Sequence, residues 1–178
     1  DAIAATGERL ARFAPRMRLG QGNFSALKQH LKSVGVSEVD GVIFDLGVSS
    51  AQLDRPERGL SFLSDGPLDM RMDQRAGRTA ADLVAQLPER ELADLIYQYG
   101  EERYSRRIAR AIVAARKVHP LRTTFDLVSV ISVSVPAAYR HGRIHCATRT
   151  FQALRIAVNQ ELDVIEGALR DAADVLAP

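Results

Sequence analysis

The chain has 178 residues, 46% of them hydrophobic and 26% charged, which is room for one domain or one domain with an insertion. A formal net charge of +2 does not mark a nucleic-acid binder by itself, and a single cysteine, Cys146, excludes an internal disulfide and the secreted disulfide-framework class. No apolar run reaches membrane-spanning length, and residues 1–10, alanine-rich with acids among them, do not read as a signal peptide, so the expectation is a soluble cytoplasmic protein with no membrane partner.

Ile3, Leu10 and Phe13, set among alanines, predict an amphipathic helix at the start. Residues 17–19 read as a short strand, 20–23 as a turn, and 25–31 as a helix closed by Gly35. Residues 39–46 hold the run Val42-Ile43-Phe44 between Gly41 and Gly47, the pattern of a strand buried on both faces. Strand, helix and strand at this spacing predict a parallel α/β sheet. From 47 to 73 periodicity fades into Gly, Ser, Pro and charge, and a long irregular segment in a compact domain is usually functional. Residues 79–99 predict a helical hairpin broken at Pro88. A helix over 101–118 carries Tyr104, Ile108, Ala111, Ile112 and Ala115 on its apolar face, and 123–133 predicts a further helix. After a loop at 140–147, Phe151, Leu154, Val158, Leu162, Ile165, Leu169 and Leu176 recur every three or four residues and predict one long helix. The strandless middle reads as an insertion. The expected organisation is a partial α/β core in residues 1–68 and 143–178, with an all-helical domain inserted at 69–142.

Ligands of open α/β sheets bind beyond the carboxyl ends of the strands. One such end delivers Gly22-Asn23-Phe24; the other delivers Asp45-Leu-Gly-Val-Ser-Ser50, followed by Gln52. An aromatic ring and a carboxylate there suit a flat ring and an amine; the alternatives are a core role for Phe24 and a capping role for Asp45. In Leu68-Asp69-Met70-Arg71-Met72-Asp73 charged and apolar residues alternate. An extended backbone would set Asp69, Arg71 and Asp73 on one side, as a polar wall or a salt-bridged loop. Arg103, Arg106, Arg107, Arg110 and Lys117 fall opposite the apolar stripe of their helix, and Arg122, Arg140, Arg143, Arg149 and Arg155 are expected to extend this basic face. Such a face suits RNA phosphates or is simply solvated. The four histidines, His145 included, show no metal-ligand spacing, so no metal is expected.

The run Asp45-Leu-Gly-Val-Ser-Ser-Ala-Gln-Leu-Asp54, then Glu57-Arg-Gly-Leu-Ser-Phe62, then Asp65-Gly-Pro-Leu-Asp-Met-Arg-Met-Asp73 resembles the bacterial small-subunit (16S) rRNA cytosine-N4 methyltransferases of the RsmH/MraW type. So do Tyr99-Gly-Glu-Glu-Arg-Tyr104 and Ala147-Thr-Arg-Thr-Phe-Gln-Ala-Leu-Arg-Ile156. The resemblance implies a Rossmann-like class I methyltransferase core with a helical insertion for RNA. It implies S-adenosyl-L-methionine as cofactor, with Phe24, Asp45 and Gln52 touching it, and small-subunit ribosomal RNA as partner; a homodimer is left open. It makes Asp45, Asp69 and Asp73 the candidates for accepting the target amine's protons. Arg71, Arg103, Arg106, Arg107, Arg110, His145 and Arg149 are the candidates for holding RNA. Ala51, Leu60 and Cys146 depart from the family's pattern, where proline, phenylalanine and proline are common. The family's Gly-rich first loop would precede Asp1 and its next strand would follow Pro178, so these 178 residues alone are expected not to turn over. The alternative is a nonenzymatic RNA-binding module on the same scaffold.

Overall fold

The computed structural model describes residues 2–75 and 77–177. Among them the helices are α1 (Ala2–Arg9), α2 (Leu27–Ser33), α3 (Ser50–Leu53), α4 (Ala80–Gln86), α5 (Glu89–Gly100), α6 (Ser105–Arg116), α7 (Thr124–Ser134), α8 (Ala137–Arg140), α9 (Thr148–Asn159) and α10 (Glu161–Val175). None is long and apolar enough to cross a membrane. The chain divides into two compact units, residues 1–45 with 162–178, and residues 46–161.

In the first unit, α1 gives way to a 3₁₀ turn, Ala11–Arg16, rather than continuing to Phe13. Pro15 has no N–H, and its ring obstructs the carbonyl four residues back. A second 3₁₀ turn, Phe24–Ala26, leads into α2, which Gly35 closes at φ 73° as its spacing predicts. The two predicted strands are not formed. Residues 17–19 make no ladder, and 39–46 are reduced to one parallel bridge between Val39 and Leu176. There the Val39 N–H donates to the Val175 carbonyl at 2.9 Å, and the Ala177 N–H donates to the Val39 carbonyl at 3.0 Å. A β-branched run becomes an inner strand only where neighbouring backbones pair with both its edges and helices cover both its faces. Among the described residues only 175–177 pair with this segment, at its beginning, and Ile43 is 95% exposed. The expected α/β sheet is therefore replaced here by a mainly helical architecture.

The second unit is built on α5, α6, α7 and α9. Leu92, Ile96, Ile108, Ile112, Leu127, Ile131 and Leu154 are all fully buried between them, each burial favouring the fold by about 1.5–3 kcal/mol before entropy is counted. Thr79 with Asp82 and Thr123 with Asp126 form capping boxes that start α4 and α7. Leu87 and Pro88 separate α4 from α5, where the sequence places the break.

The predicted long helix over 151–176 is two helices. The chain takes a left-handed turn at Gln160, φ 50°, and α10 begins at Glu161. The apolar period runs through the break, so periodicity does not register it. The break is set instead by polar groups: Asn159 turns its amide to another segment, and Arg155 pairs with Glu161 at 2.8 Å across the turn.

Candidate functional site

In the first unit, the Asn23 side chain accepts the Ser25 N–H at 3.0 Å and so caps the turn that carries Phe24. The half-buried Phe24 ring meets Phe44 edge-on, with centroids 6.0 Å apart. Phe44 directly precedes Asp45, which is exposed. The segments bearing Phe24 and Asp45 are thus neighbours. His30 of α2 stands over Gly22, leaving no space for a Cβ there, and its Nε2 is buried with no hydrogen-bond partner among the described residues. Sequence reasoning weighed His30 only as a metal ligand and missed it as the side chain that packs on this loop.

In the second unit, the irregular segment after Gly47 is folded back on itself. Gly59 is left-handed, φ 63°, and a Cβ on it would overlap the Pro67 carbonyl and lie 2.8 Å from the Asp69 nitrogen. A Cβ on Gly66 would overlap the Pro56 carbonyl. The Glu57-Arg-Gly and Asp65-Gly-Pro motifs are therefore two legs packed backbone to backbone, joined by the Met70 N–H donating to the Arg58 carbonyl at 3.0 Å. Leu68 and Thr124 complete a bridge to the start of α7 through Arg122 and Gly66, at 2.8 and 2.9 Å. The carbonyls of Leu68 and Asp69 accept the Ala81 and Ala80 N–H groups at the start of α4, both at 2.8 Å.

The extended run expected over 68–73 is interrupted. Met70 is left-handed, φ 64°, with its side chain fully buried. Asp69 and Arg71 do face one another, in a two-pronged pair at 2.7 and 2.8 Å, whereas Asp73 pairs with Arg75 instead, at 2.8 and 2.7 Å. Burial pushes the Asp69 carboxyl up, but the hydrogen bonds from Arg71 outweigh it and leave it below its ordinary value. Hydrogen bonds from the Arg75 side chain and backbone hold Asp73 well below the usual carboxylate range.

A non-glycine residue in the left-handed region persists only where its surroundings over-determine it. Two clamps do so here. Arg58 donates to the Arg71 and Met72 carbonyls at 3.0 and 2.6 Å. Asn159 donates to the Met70 carbonyl at 2.8 Å and accepts the Met72 N–H at 2.7 Å. Asn159→Ala is expected to cost about 1–3 kcal/mol, the penalty for stranding two part-buried backbone groups. Urea unfolding checks this, and an unchanged midpoint would leave Arg58 as the sole clamp. Asn159 carried no sequence signal, because a lone amide at a helix end reads as a surface residue.

The Gln52 side-chain oxygen, Oε1, accepts the Ser49 N–H at 2.9 Å, closing the capping box of α3. Among the basic residues, Arg103 lies over the rings of Tyr104 and Tyr139, 4.9 and 4.8 Å from their centroids. Tyr139 donates to the fully buried Glu102 at 2.5 Å, and burial, then that hydrogen bond, push its phenol up to about 12. Arg106 and Arg107 are exposed and form no ion pair with another described residue. Arg110 reaches Glu89 at 3.4 Å, and Arg149 donates to the Glu101 carbonyl at 2.6 Å. His145 stacks on Phe62, with centroids 4.7 Å apart, and its Nδ1 accepts the Ala147 N–H at 3.2 Å. Phe62 in turn meets Phe151 edge-on at 4.9 Å.

The family model described as the MraW methylase family matches residues 1–178. The ribosomal RNA small subunit methyltransferase H of Citrifermentans bemidjiense is 53% identical over 176 residues, 99% of this chain and 56% of that protein. The protein of the same name from Acaryochloris marina is 56% identical over 179 residues, 100% of this chain and 57% of that one. The Brevibacillus brevis protein of this name is 53% identical over 171 residues, 96% and 54% of the two chains. The chain therefore spans a little over half the length of the curated relatives it matches.

Proposed function

We propose, since the chain belongs to the MraW methylase family, that the full-length protein transfers a methyl group from S-adenosylmethionine to the exocyclic N4 of a cytidine in small-subunit ribosomal RNA, in the cytoplasm. The observation that carries this reading is about half identity, along essentially the whole chain, to proteins named for methylating that RNA. Those names do not favour the nonenzymatic RNA-binding alternative.

The residues present suit the cofactor. Phe24, backed by Phe44, offers an aromatic edge beside the exposed Asp45 carboxylate, a pairing suited to a purine ring and its amine or to an ammonium group. Gln52 is proposed as a cofactor contact from the family resemblance alone. The Val39–Leu176 bridge is the parallel seam on which a Rossmann-like sheet would be built, with 39–46 as an inner strand and 69–142 as the inserted RNA-facing helices.

When bound, S-adenosylmethionine supplies a methyl group made electrophilic by its sulfonium. The protein's share is alignment and proton handling. The N4 lone pair of cytosine is delocalised into the ring. A carboxylate that accepts an N–H from N4 localises the lone pair and takes the proton as the N–CH3 bond forms. Asp45, Asp69 and Asp73 are the candidates. Asp69 and Asp73 have both oxygens occupied by arginines, whereas Asp45 has no side-chain partner among the described residues. Asp45 therefore leads. The base has to leave its stack to be reached. Arg103, Arg106, Arg107 and Arg110, with His145 and Arg149, would hold the RNA around it, whereas Arg71 is neutralised by its two-pronged pair with Asp69.

Calorimetry with S-adenosylmethionine, paired with transfer of a labelled methyl group to small-subunit RNA, tests this on the full-length protein. Saturable binding and labelled N4-methylcytidine are expected. A full-length protein that binds RNA but no cofactor would establish the nonenzymatic module instead.

A further inference from the structure

We infer that a cavity in the second unit, between α9 and the segment after Gly59, receives one unstacked base of the RNA. This rests on the RNA reading above. The cavity has a volume of about 200 Å³. Leu60, Phe62 and Phe151 form its apolar walls, and Thr148, Gln152 and Arg155 bring the polar groups.

Its chemistry points to an uncharged planar ring. No carboxylate lines it, which argues against a metal ion. Its one cation, Arg155, is neutralised by a two-pronged pair with Glu161 at 2.8 and 3.1 Å, which argues against a phosphate. What remains is an aromatic wall with a neutral hydrogen-bonding rim, the combination by which single-stranded RNA bases are bound. The wall is held rigid: His145 stacks on Phe62 and Phe151 meets it edge-on. Gln152 is exposed, and its amide carries both a donor and an acceptor for a base edge. One turn further along α9 from Arg155 lies Asn159, which clamps the turn bearing Asp69 and Arg71. A base in the cavity would therefore lie close to that polar turn.

The test uses the full-length protein and a short single-stranded RNA with the fluorescent base pyrrolo-cytosine at one position. Wild type should quench the probe on binding. Phe62→Leu should lose the quenching and weaken RNA affinity about tenfold, in the range of one lost base stack, with the same salt dependence, because no phosphate contact is removed. Gln152→Leu, a change at an exposed position, should weaken affinity severalfold with unchanged melting temperature and cofactor affinity, so a folding defect in Phe62→Leu would not blur the result. Equal quenching and affinity in wild type and Gln152→Leu, or in wild type and a folded Phe62→Leu, would overturn the pocket while leaving the methyltransferase reading intact. A wild-type protein that binds no RNA at all would overturn both.

Discussion

Asp45→Ala in the full-length protein should lower the methyl-transfer rate by about 100-fold or more while leaving its folding stability unchanged. Two observations set these opposite expectations. Asp45 is exposed and has no side-chain partner among the described residues, and substitutions at such positions usually change stability by no more than about 0.5 kcal/mol. Its place after Phe44, whose ring meets Phe24, puts it beside the aromatic edge proposed to meet the cofactor. A positioned acceptor for a departing proton is worth about 100- to 10,000-fold. Asp45→Asn separates the two parts of the role: it keeps an acceptor oxygen and removes the charge that takes up the proton. A cofactor contact alone would therefore leave Asp45→Asn close to wild type at saturating S-adenosylmethionine, whereas proton acceptance would make it nearly as slow as Asp45→Ala. Single-turnover rates at saturating cofactor and RNA, with melting curves alongside, make the comparison. Near-normal turnover of Asp45→Ala would remove the residue from the chemistry.

The parts of this molecule that were legible in its sequence are those fixed by local rules. Thr79 and Thr123, each followed three residues later by an aspartate, start α4 and α7, and the apolar period of α6 selects the buried Ile108 and Ile112. Phe24 and Asp45 are expected at strand ends, but those strands do not form, and it is the contact of Phe24 with Phe44 that makes their segments neighbours. Other features depend on partners distant in the chain. Val42-Ile43-Phe44 has the composition of an inner strand, but composition cannot provide the neighbours that a strand needs. Charged and apolar residues alternate over 68–73 as they would in a strand, yet Arg58 and Asn159 hold Met70 in a left-handed turn. Glu102 reads as a surface acid until Tyr139, thirty-seven positions away, is seen donating to it in the core. Polar side chains that act on remote backbone leave no periodic trace, so Asn159, His30 and Glu102 had to come from the structure.

Gly59→Ala should destabilise the second unit by about 2–5 kcal/mol, a large part of the stability of an ordinary domain. Two costs add. The left-handed backbone at φ 63° disfavours any Cβ by about 1–2 kcal/mol. The new methyl would also overlap the Pro67 carbonyl and crowd the Asp69 nitrogen, neither of which is the end of a flexible side chain. Relieving it requires the backbone over 67–69 to move, at a further cost of about 1–3 kcal/mol or more. That stretch cannot move freely, because Leu68 is tied to Arg122 and the Leu68 and Asp69 carbonyls cap α4. Gly77→Ala is the control. Its φ of 85° is also positive, but nothing lies within 4 Å of its Cβ position, so only a backbone cost applies. Urea midpoints of the two variants therefore isolate the packing cost by difference. If they shift equally, the legs bearing Gly59 and Pro67 are not in contact, and the turn that presents Asp69 and Arg71 lacks the support of the Gly59 leg.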